Sequence, residues 1–378
     1  MNILLVRLRL IGDVVFTTPA IRAVRRRYPD ARIAYVVEEE AAAVVRHNPH
    51  LDEVIVASSP HAPGRLRADI ALIRKLRRER YDLAIDFHGG PRSSMLTWLS
   101  GAQQRIGYEV VGRSWMYTTR VPRPRALRPR HSVVSQWDVL LPLGIAPPDP
   151  ELDVVEMRDD PAAASAVARR LAAAGVGAAN PVVVVHVSAG NPFRRWPSES
   201  FVELVCRLAS KEPKRRIILT SGPSDAEAAA AIARDARARL AAQERQAIVE
   251  FGEFDLAELR ALAGRAALYI GGDSGPLHIA GTTDVPVVGL YGPTLPVRSQ
   301  PFRGARFISA AAEVPDLPCR PCDQRRCEPG DFRCLSGISA ETVAALAERA
   351  LGWRGERGAD HDRRSADLQV GSKDVNES

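Results

Sequence analysis

What most constrains this chain is a pattern that runs through it twice: short apolar runs alternate with longer Ala-, Arg- and Leu-rich stretches of helical period. In the first half the runs are 2–6 (NILLV), 32–37 (RIAYVV), 53–56 (EVIV) and 82–87 (DLAIDF). In the second they are 182–187 (VVVVHV), 216–220 (RIILT), 247–251 (AIVEF), 267–271 (ALYIG) and 286–290 (PVVGL), with helical stretches such as 161–174 and 255–265 between them. Near-continuous apolar runs suit strands buried on both faces of a parallel sheet, and the helical stretches supply the crossovers. The pattern restarts after LGIAPPDPELDV (143–154), whose prolines block a continuing helix and suit a linker. The expectation is an α/β protein of two Rossmann-like domains, 1–150 and 151–353. A closing helix is expected over 339–352, capped by Ser339 and ended by Gly352. The polar tail 354–378 is expected to be disordered.

Length agrees with two domains, since 378 residues exceed the roughly 250–300 at which a single core stops growing. No apolar stretch approaches the ~18 residues of a membrane span. Arg7, Arg9 and Asp13 follow the first apolar run too soon for a secretory leader, so a cytoplasmic protein is expected. The net charge of +7 is uneven: residues 1–150 hold 23 Lys and Arg against 14 Asp and Glu, whereas 151–378 hold 29 against 31. Much of the excess lies in 65–82 (RLRADIALIRKLRRERYD) and 120–131 (RVPRPRALRPRH). These are either solvated faces or a surface for an anionic partner such as a phosphorylated lipid or membrane face. Nucleic acid is disfavoured, because no interleaved aromatics or groove-reading motif accompany them.

Candidate chemistry lies just after the expected strands, where open parallel sheets bind ligands. Gly12-Asp13 follows the first; Asp13 could begin a helix or act as a carboxylate in a cleft. His88 and Arg92 follow 82–87 in DFHGGPRSS, with a structural imidazole as the alternative for His88. HVSAGNPFRRWP (186–197) places Arg194 and Arg195 where guanidinium groups could clamp a diphosphate, or simply pack on Trp196. Asp225, in TSGPSDAE, could accept from ribose hydroxyls or decorate a helix start. GGDSGPLHIAG (271–281) has the makings of a phosphate site: glycines for close approach and a helix start near Pro276, with Asp273, Ser274 and His278 as polar side chains. A second turn, GPT (292–294), would rim the same cleft. Of the five cysteines, Cys206 reads as helix core. Cys319, Cys322, Cys327 and Cys334 are spaced C-x2-C-x4-C-x6-C, which leaves a zinc site or reduced structural thiols open. P-loop, HExxH, GxSxG, kinase and GxGxxG signatures are absent from the sequence.

Taken in order, ILLVRLRLIGDVVFTTPAIRAVR, YDLAIDFHGGPRSS, RIGY, VSAGNPFRRWP, GGDSGPLHIAG and VVGLYGPT resemble glycosyltransferase family 9, the heptosyltransferases of lipopolysaccharide core biosynthesis, over residues 2 to about 350. The resemblance implies a GT-B fold: two Rossmann-like domains facing a central cleft, the first holding the acceptor and the second the nucleotide sugar. It implies that Asp13 is the general base, with Gly12, His88 and Arg92 on the acceptor side. Ser274 and Gly275 amides would meet the donor diphosphate, with Asp273 on sugar hydroxyls and His278 beside it. Arg194, Arg195 and Asp225 would also contact the donor, and Phe254 would lie against adenine. Arg194 stands where the family usually has Lys, and His88 where Gln is common. The activity implied is inverting, metal-independent transfer of L-glycero-D-manno-heptose from ADP-heptose to a lipid-linked inner core, with no cofactor and peripheral contact with the inner membrane. The competing readings are a family member with another sugar or acceptor, a non-catalytic nucleotide or anionic-lipid binder, and a nucleotide-sugar epimerase.

Overall fold

In the computed structural model of the chain, the apolar runs line up as two six-stranded parallel sheets. It describes residues 1–59, 61–123, 129–187, 191–251, 253–322 and 324–352; the tail expected to be disordered lies outside them. The first sheet comprises β1 (Asn2–Val6), β2 (Arg32–Glu38), β3 (Glu53–Ala57), β4 (Leu83–Asp86), β5 (Gln104–Tyr108) and β6 (Thr119–Val121). Its order is β3-β2-β1-β4-β5-β6. The second comprises β7 (Val182–Val187), β8 (Arg216–Ser221), β9 (Ile248–Val249), β10 (Leu268–Gly272), β11 (Val287–Tyr291) and β12 (Ser309–Glu313), ordered β9-β8-β7-β10-β11-β12. Each half therefore has the doubly wound order 3-2-1-4-5-6, and each reverses direction beside its first strand.

Burial explains the apolar runs. In β1, Ile3 and Leu5 enter one core while Leu4 and Val6 enter the other, because alternate side chains leave opposite faces and helices cover both. β7 does the same, Val183 and Val185 on one side and Val182 and Val184 on the other.

The structure departs from the sequence reading in two places. Strands β5, β6 and β12 were not anticipated. The segment after the proline-rich stretch also stays with the first half: Val155 and Met157 are buried in its core, and Thr18 Oγ1 accepts from the Glu156 amide at 2.9 Å. The first core thus extends past residue 150 to Met157. At the other end, Ser339 Oγ accepts from the Thr342 amide at 3.1 Å and begins a helix over 340–352. Its Val343, Ala347 and Ala350 close the second core.

Candidate active site

The chain leaves β1 at Val6 and enters a five-residue helix, Ile11–Val15. Asp13 does not cap it: the N-cap is Leu10, and no side chain accepts from the first turn. The carboxylate is instead ion-paired to the buried guanidinium of Arg7, and Gln136 Nε2 donates to it at 3.4 Å. Arg7 is itself fixed by donating to the Phe87 carbonyl at 2.9 Å, just past β4. Asp13 is thus held from behind at the reversal point between β1 and β4. Its open side lines a cavity of about 220 Å3.

The other wall of that cavity comes from the second half, with Arg194, Asp273, Gly275, Thr294 and Arg298. Asp273 directly follows β10 and is buried. Thr294 Oγ1 donates to its Oδ2 at 2.5 Å, and Arg194 Nη1 donates to its carbonyl at 2.6 Å. His278 Nε2 stands 3.4 Å from Oδ1, an ion-pair distance without hydrogen-bond alignment, so Oδ1 has no hydrogen-bond partner. Burial opposes charge on this carboxyl, but His278, Arg194 and Thr294 outweigh it and hold its pKa down to about 2. Ser274 is extended, donates to the Gly272 carbonyl at 3.2 Å, and leads into the helix Gly275–Ala280 with Pro276 in its first turn. Arg298 was missed from the sequence, although it stands four residues beyond the GPT turn that was noted. Burial lowers its pKa below the usual guanidinium range, and its buried Nε has no hydrogen-bond partner.

The two walls interlock through glycines. A Cβ on Gly12 would lie 2.3 Å from His278 Cδ2, and one on Gly275 would lie 2.8 Å from Ile11 Cβ. Only glycine lets the helices Ile11–Val15 and Gly275–Ala280 approach this closely. Beside them Phe16 packs on His278 at 4.5 Å between ring centroids and on His131 at 5.4 Å. His131 Nδ1 accepts from the Val133 amide, which leaves Nε2–H to donate across the cleft to the Gln300 carbonyl at 2.8 Å. Burial pushes its pKa down to about 4.

The remaining candidates are dispersed. Arg195 and the buried Asp225, 3.5 Å apart, line a separate cavity of about 390 Å3. Phe254 lies beside a third, of about 160 Å3, that Thr220, Glu250 and Phe251 help to line. The Arg170 guanidinium already covers one face of the Phe254 ring, 3.9 Å from its centroid. His88 follows β4; burial, with the nearby charge of Arg7, lowers its pKa to about 4, and its buried Nδ1 has no hydrogen-bond partner. Arg123 and Arg113 donate to the carbonyls of His88 and Gly89, both at 3.4 Å. Arg92 donates to Glu38 at 2.8 Å and to Asp69 at 2.5 Å, both buried, and to the Ser58 carbonyl. A guanidinium with two buried carboxylates in reach is a clamp within the first half. The five cysteines are free thiols, and burial raises the pKa of Cys334. Among the described residues no group of three or more His, Cys, Asp or Glu side chains is arranged to hold a metal ion. Among the described residues, Cys319, Cys322, Cys327 and Cys334 do not form such a group. No helix among the described residues is long and apolar enough to cross a membrane.

Two doubly wound sheets meeting at a shared cavity form a GT-B arrangement, and comparison with known proteins agrees. The model of glycosyltransferase family 9 (heptosyltransferase) matches residues 70–329, so the chain belongs to this family of glycosyltransferases. It is 28% identical over 351 residues to lipopolysaccharide heptosyltransferase 3 of Escherichia coli, covering 91% of this chain and 97% of the relative. Among solved structures it resembles a family 9 glycosyltransferase from Veillonella parvula (TM-score 0.79, 24% identity, 93% of this chain and 97% of that one). It also resembles E. coli ADP-heptose lipopolysaccharide heptosyltransferase II (TM-score 0.74, 18% identity, 94% and 100%).

Proposed function

We propose that this glycosyltransferase moves L-glycero-D-manno-heptose from ADP-heptose to the inner core of lipopolysaccharide, on Kdo-lipid A or its heptosylated form, at the cytoplasmic face of the inner membrane. The observation that carries the reading is the shared cavity, where Asp13 of one half faces Arg194, Asp273 and Gly275 of the other. The nature of the donor is supported by the relatives named above.

The mechanism follows from those parts. A nucleoside diphosphate leaves readily, so a single displacement at the anomeric carbon needs a base for the attacking hydroxyl and positive charge for the departing phosphate. Asp13 takes the proton, aimed by Arg7. Arg194, Arg298 and the start of the helix Gly275–Ala280 neutralise the diphosphate, with the Ser274 and Gly275 amides turned toward it. These groups supply the positive charge, so no metal or other cofactor is required. Asp273 accepts from sugar hydroxyls through Oδ1, which has no hydrogen-bond partner. Attack from the Asp13 side on a donor held by the opposite wall inverts the anomeric centre. Arg195 and Asp225 hold the nucleoside portion, and the free face of Phe254 meets adenine. On the acceptor side, Arg9, Arg113 and Arg123 form a cationic rim around the neutral His88 for acidic inner-core sugars.

The test is turnover of ADP-heptose with Kdo-lipid A by wild type and Asp13→Asn, with and without chelator. Asp13→Asn should lose about 10²–10⁴-fold in kcat while keeping donor affinity, and chelator should change neither protein. Undiminished turnover in Asp13→Asn refutes the base assignment, and loss on chelation refutes metal independence.

A further inference from the structure

We propose that the outer face of the first half is a docking surface for an anionic lipid bilayer. It is built from the helices Arg65–Arg78 and Pro91–Leu99 and the loop 110–116. The partner deepens the functional reading above, since a lipid-linked acceptor lies in such a bilayer, but the surface is argued from its own residues.

The helix Arg65–Arg78 buries only Asp69 and Leu76. Leu66, 74% exposed, and Ile70 lie one turn apart on its outer side. Its ion pairs include Arg65 to Asp69, which also holds Arg92, and Lys75 to Glu53. Among the described residues, Arg67, Arg74, Arg77 and Arg78 have no acidic partner, and the helix carries six of the 23 Lys and Arg of residues 1–150 against one acidic residue, Asp69.

The helix Pro91–Leu99 packs against it on the same side of the sheet. It presents Trp98, whose ring meets that of Trp115 edge-to-face at 5.0 Å between centroids. Both indoles are exposed, and Trp115 Nε1 donates to the Gly112 carbonyl at 3.1 Å, which holds the loop in shape. Val111, at the loop tip, is 98% exposed.

Among the described residues, five of the eleven exposed large apolar side chains thus fall on this one face, which argues against random scatter. Indoles and aliphatic tips beside unpaired arginines match the interface of a negatively charged bilayer: rings at headgroup depth, guanidinium groups on phosphates. The same loop runs on to the cleft, where Arg113 reaches the Gly89 carbonyl beside His88. A bilayer on this face would therefore present its lipids at the acceptor side of the cavity.

The experiment is flotation of the full chain with phosphatidylcholine vesicles, with and without phosphatidylglycerol, for wild type, Arg74→Glu/Arg77→Glu, Trp98→Ser/Trp115→Ser and Val111→Asp. Wild type should float only with the anionic vesicles and be released by salt. The charge reversal should weaken partition at least about tenfold, and the aromatic and Val111 variants should lose binding and the vesicle-induced blue shift of tryptophan emission. Val111→Asp changes a residue that touches no core, so its loss cannot be ascribed to misfolding. Wild type that ignores anionic vesicles, or variants that float as wild type does, overturn the proposal. So does sedimentation showing that Trp98→Ser/Trp115→Ser dissociates a dimer, for then a second copy covers the face. Turnover on detergent-dispersed acceptor, measured in parallel, should be unchanged in these variants. Docking without turnover refutes the transfer reading alone, and turnover without docking refutes this one alone.

Discussion

Gly12→Ala is the sharpest perturbation available, because a single methyl tests the geometry on which the site depends. In the structure that methyl would stand 2.3 Å from His278 Cδ2 and 3.1 Å from Nε2, where carbon atoms normally meet at about 3.5–4 Å. The imidazole has little room to retreat. It is buried, with Phe16 at 4.5 Å on one side and Asp273 at 3.4 Å on another. The helices Ile11–Val15 and Gly275–Ala280 must therefore part by about 1 Å, or the ring must leave its place; overpacking of this kind costs about 1–3 kcal/mol. Asp13 is the next residue, so it moves with the helix, and a misplacement near 1 Å costs about 10²-fold in rate. The expected result is a hundredfold fall in kcat/KM, carried mostly by kcat, with a modest fall in Tm. A double-mutant cycle separates this from general damage. In the His278→Ala background, Gly12→Ala should cost almost no stability, since the atom it strikes has gone. Wild-type turnover and Tm in Gly12→Ala, or an equal stability loss in both backgrounds, would refute the reasoning.

Arg298→Gln should weaken ADP binding in calorimetry and lower kcat about 10²-fold, as expected for one guanidinium on a leaving diphosphate; unchanged ADP affinity would remove it from the site. Arg92→Ala should act on stability, because it leaves Glu38 and Asp69 buried without their partner, at about 3–5 kcal/mol in urea unfolding. An unchanged urea midpoint with a raised acceptor KM would return Arg92 to the acceptor site. Acid should loosen the contact between the halves through His131. Its pKa falls from 6.5 in the unfolded chain to about 4 in the folded one, so the unfolded state takes up the proton first. The stability it contributes is present above pH 6.5 and is lost as pH falls toward 4, about 3 kcal/mol in all. His131→Phe should flatten the urea-midpoint profile across that window, and a slope equal to that of wild type would contradict the assignment.

Most of the strands legible in the sequence are covered on both faces, although the edge strand β3, with Val56 exposed, was legible too because EVIV is β-branched and apolar. β1, β2 and β7 are near-continuous apolar runs because helices pack on either side. The strands that were missed lie at or next to sheet edges. β6 is three residues long, and β12 reads Ser-Ala-Ala-Ala-Glu, with no β-branched or aromatic residue to mark it. β5 opens with Gln104 and Arg105, and its Gly107 leaves room for the Tyr117 ring, so even its interior lacks an apolar alternation.

The site divides along the same physical line. Positions just past β1 and β10 could be picked out because a parallel sheet presents its loops there whatever their partners. Which of those loops face one another depends on contacts across residues separated by more than 260 positions, and no local pattern encodes them. Asp13 and Asp273 were each visible, and the family resemblance implied one cleft between the halves, but the side chains that interlock there, Ile11 with Gly275 and Gly12 with His278, were not. Arg7 was invisible as a site residue, because a buried arginine inside an apolar run reads as noise until its partner is seen. Arg92 differs in another way: its position after β4 suggested the cleft, but its pairs with buried Glu38 and Asp69 come from distant segments and could not be read locally. The glycines carry the clearest lesson. Gly12 read as a strand-to-helix turn and Gly275 as room for a phosphate, but each also makes space for a side chain of the other half. The proposed catalytic geometry therefore rests on the packing of two short helices as much as on the carboxylate that one of them carries.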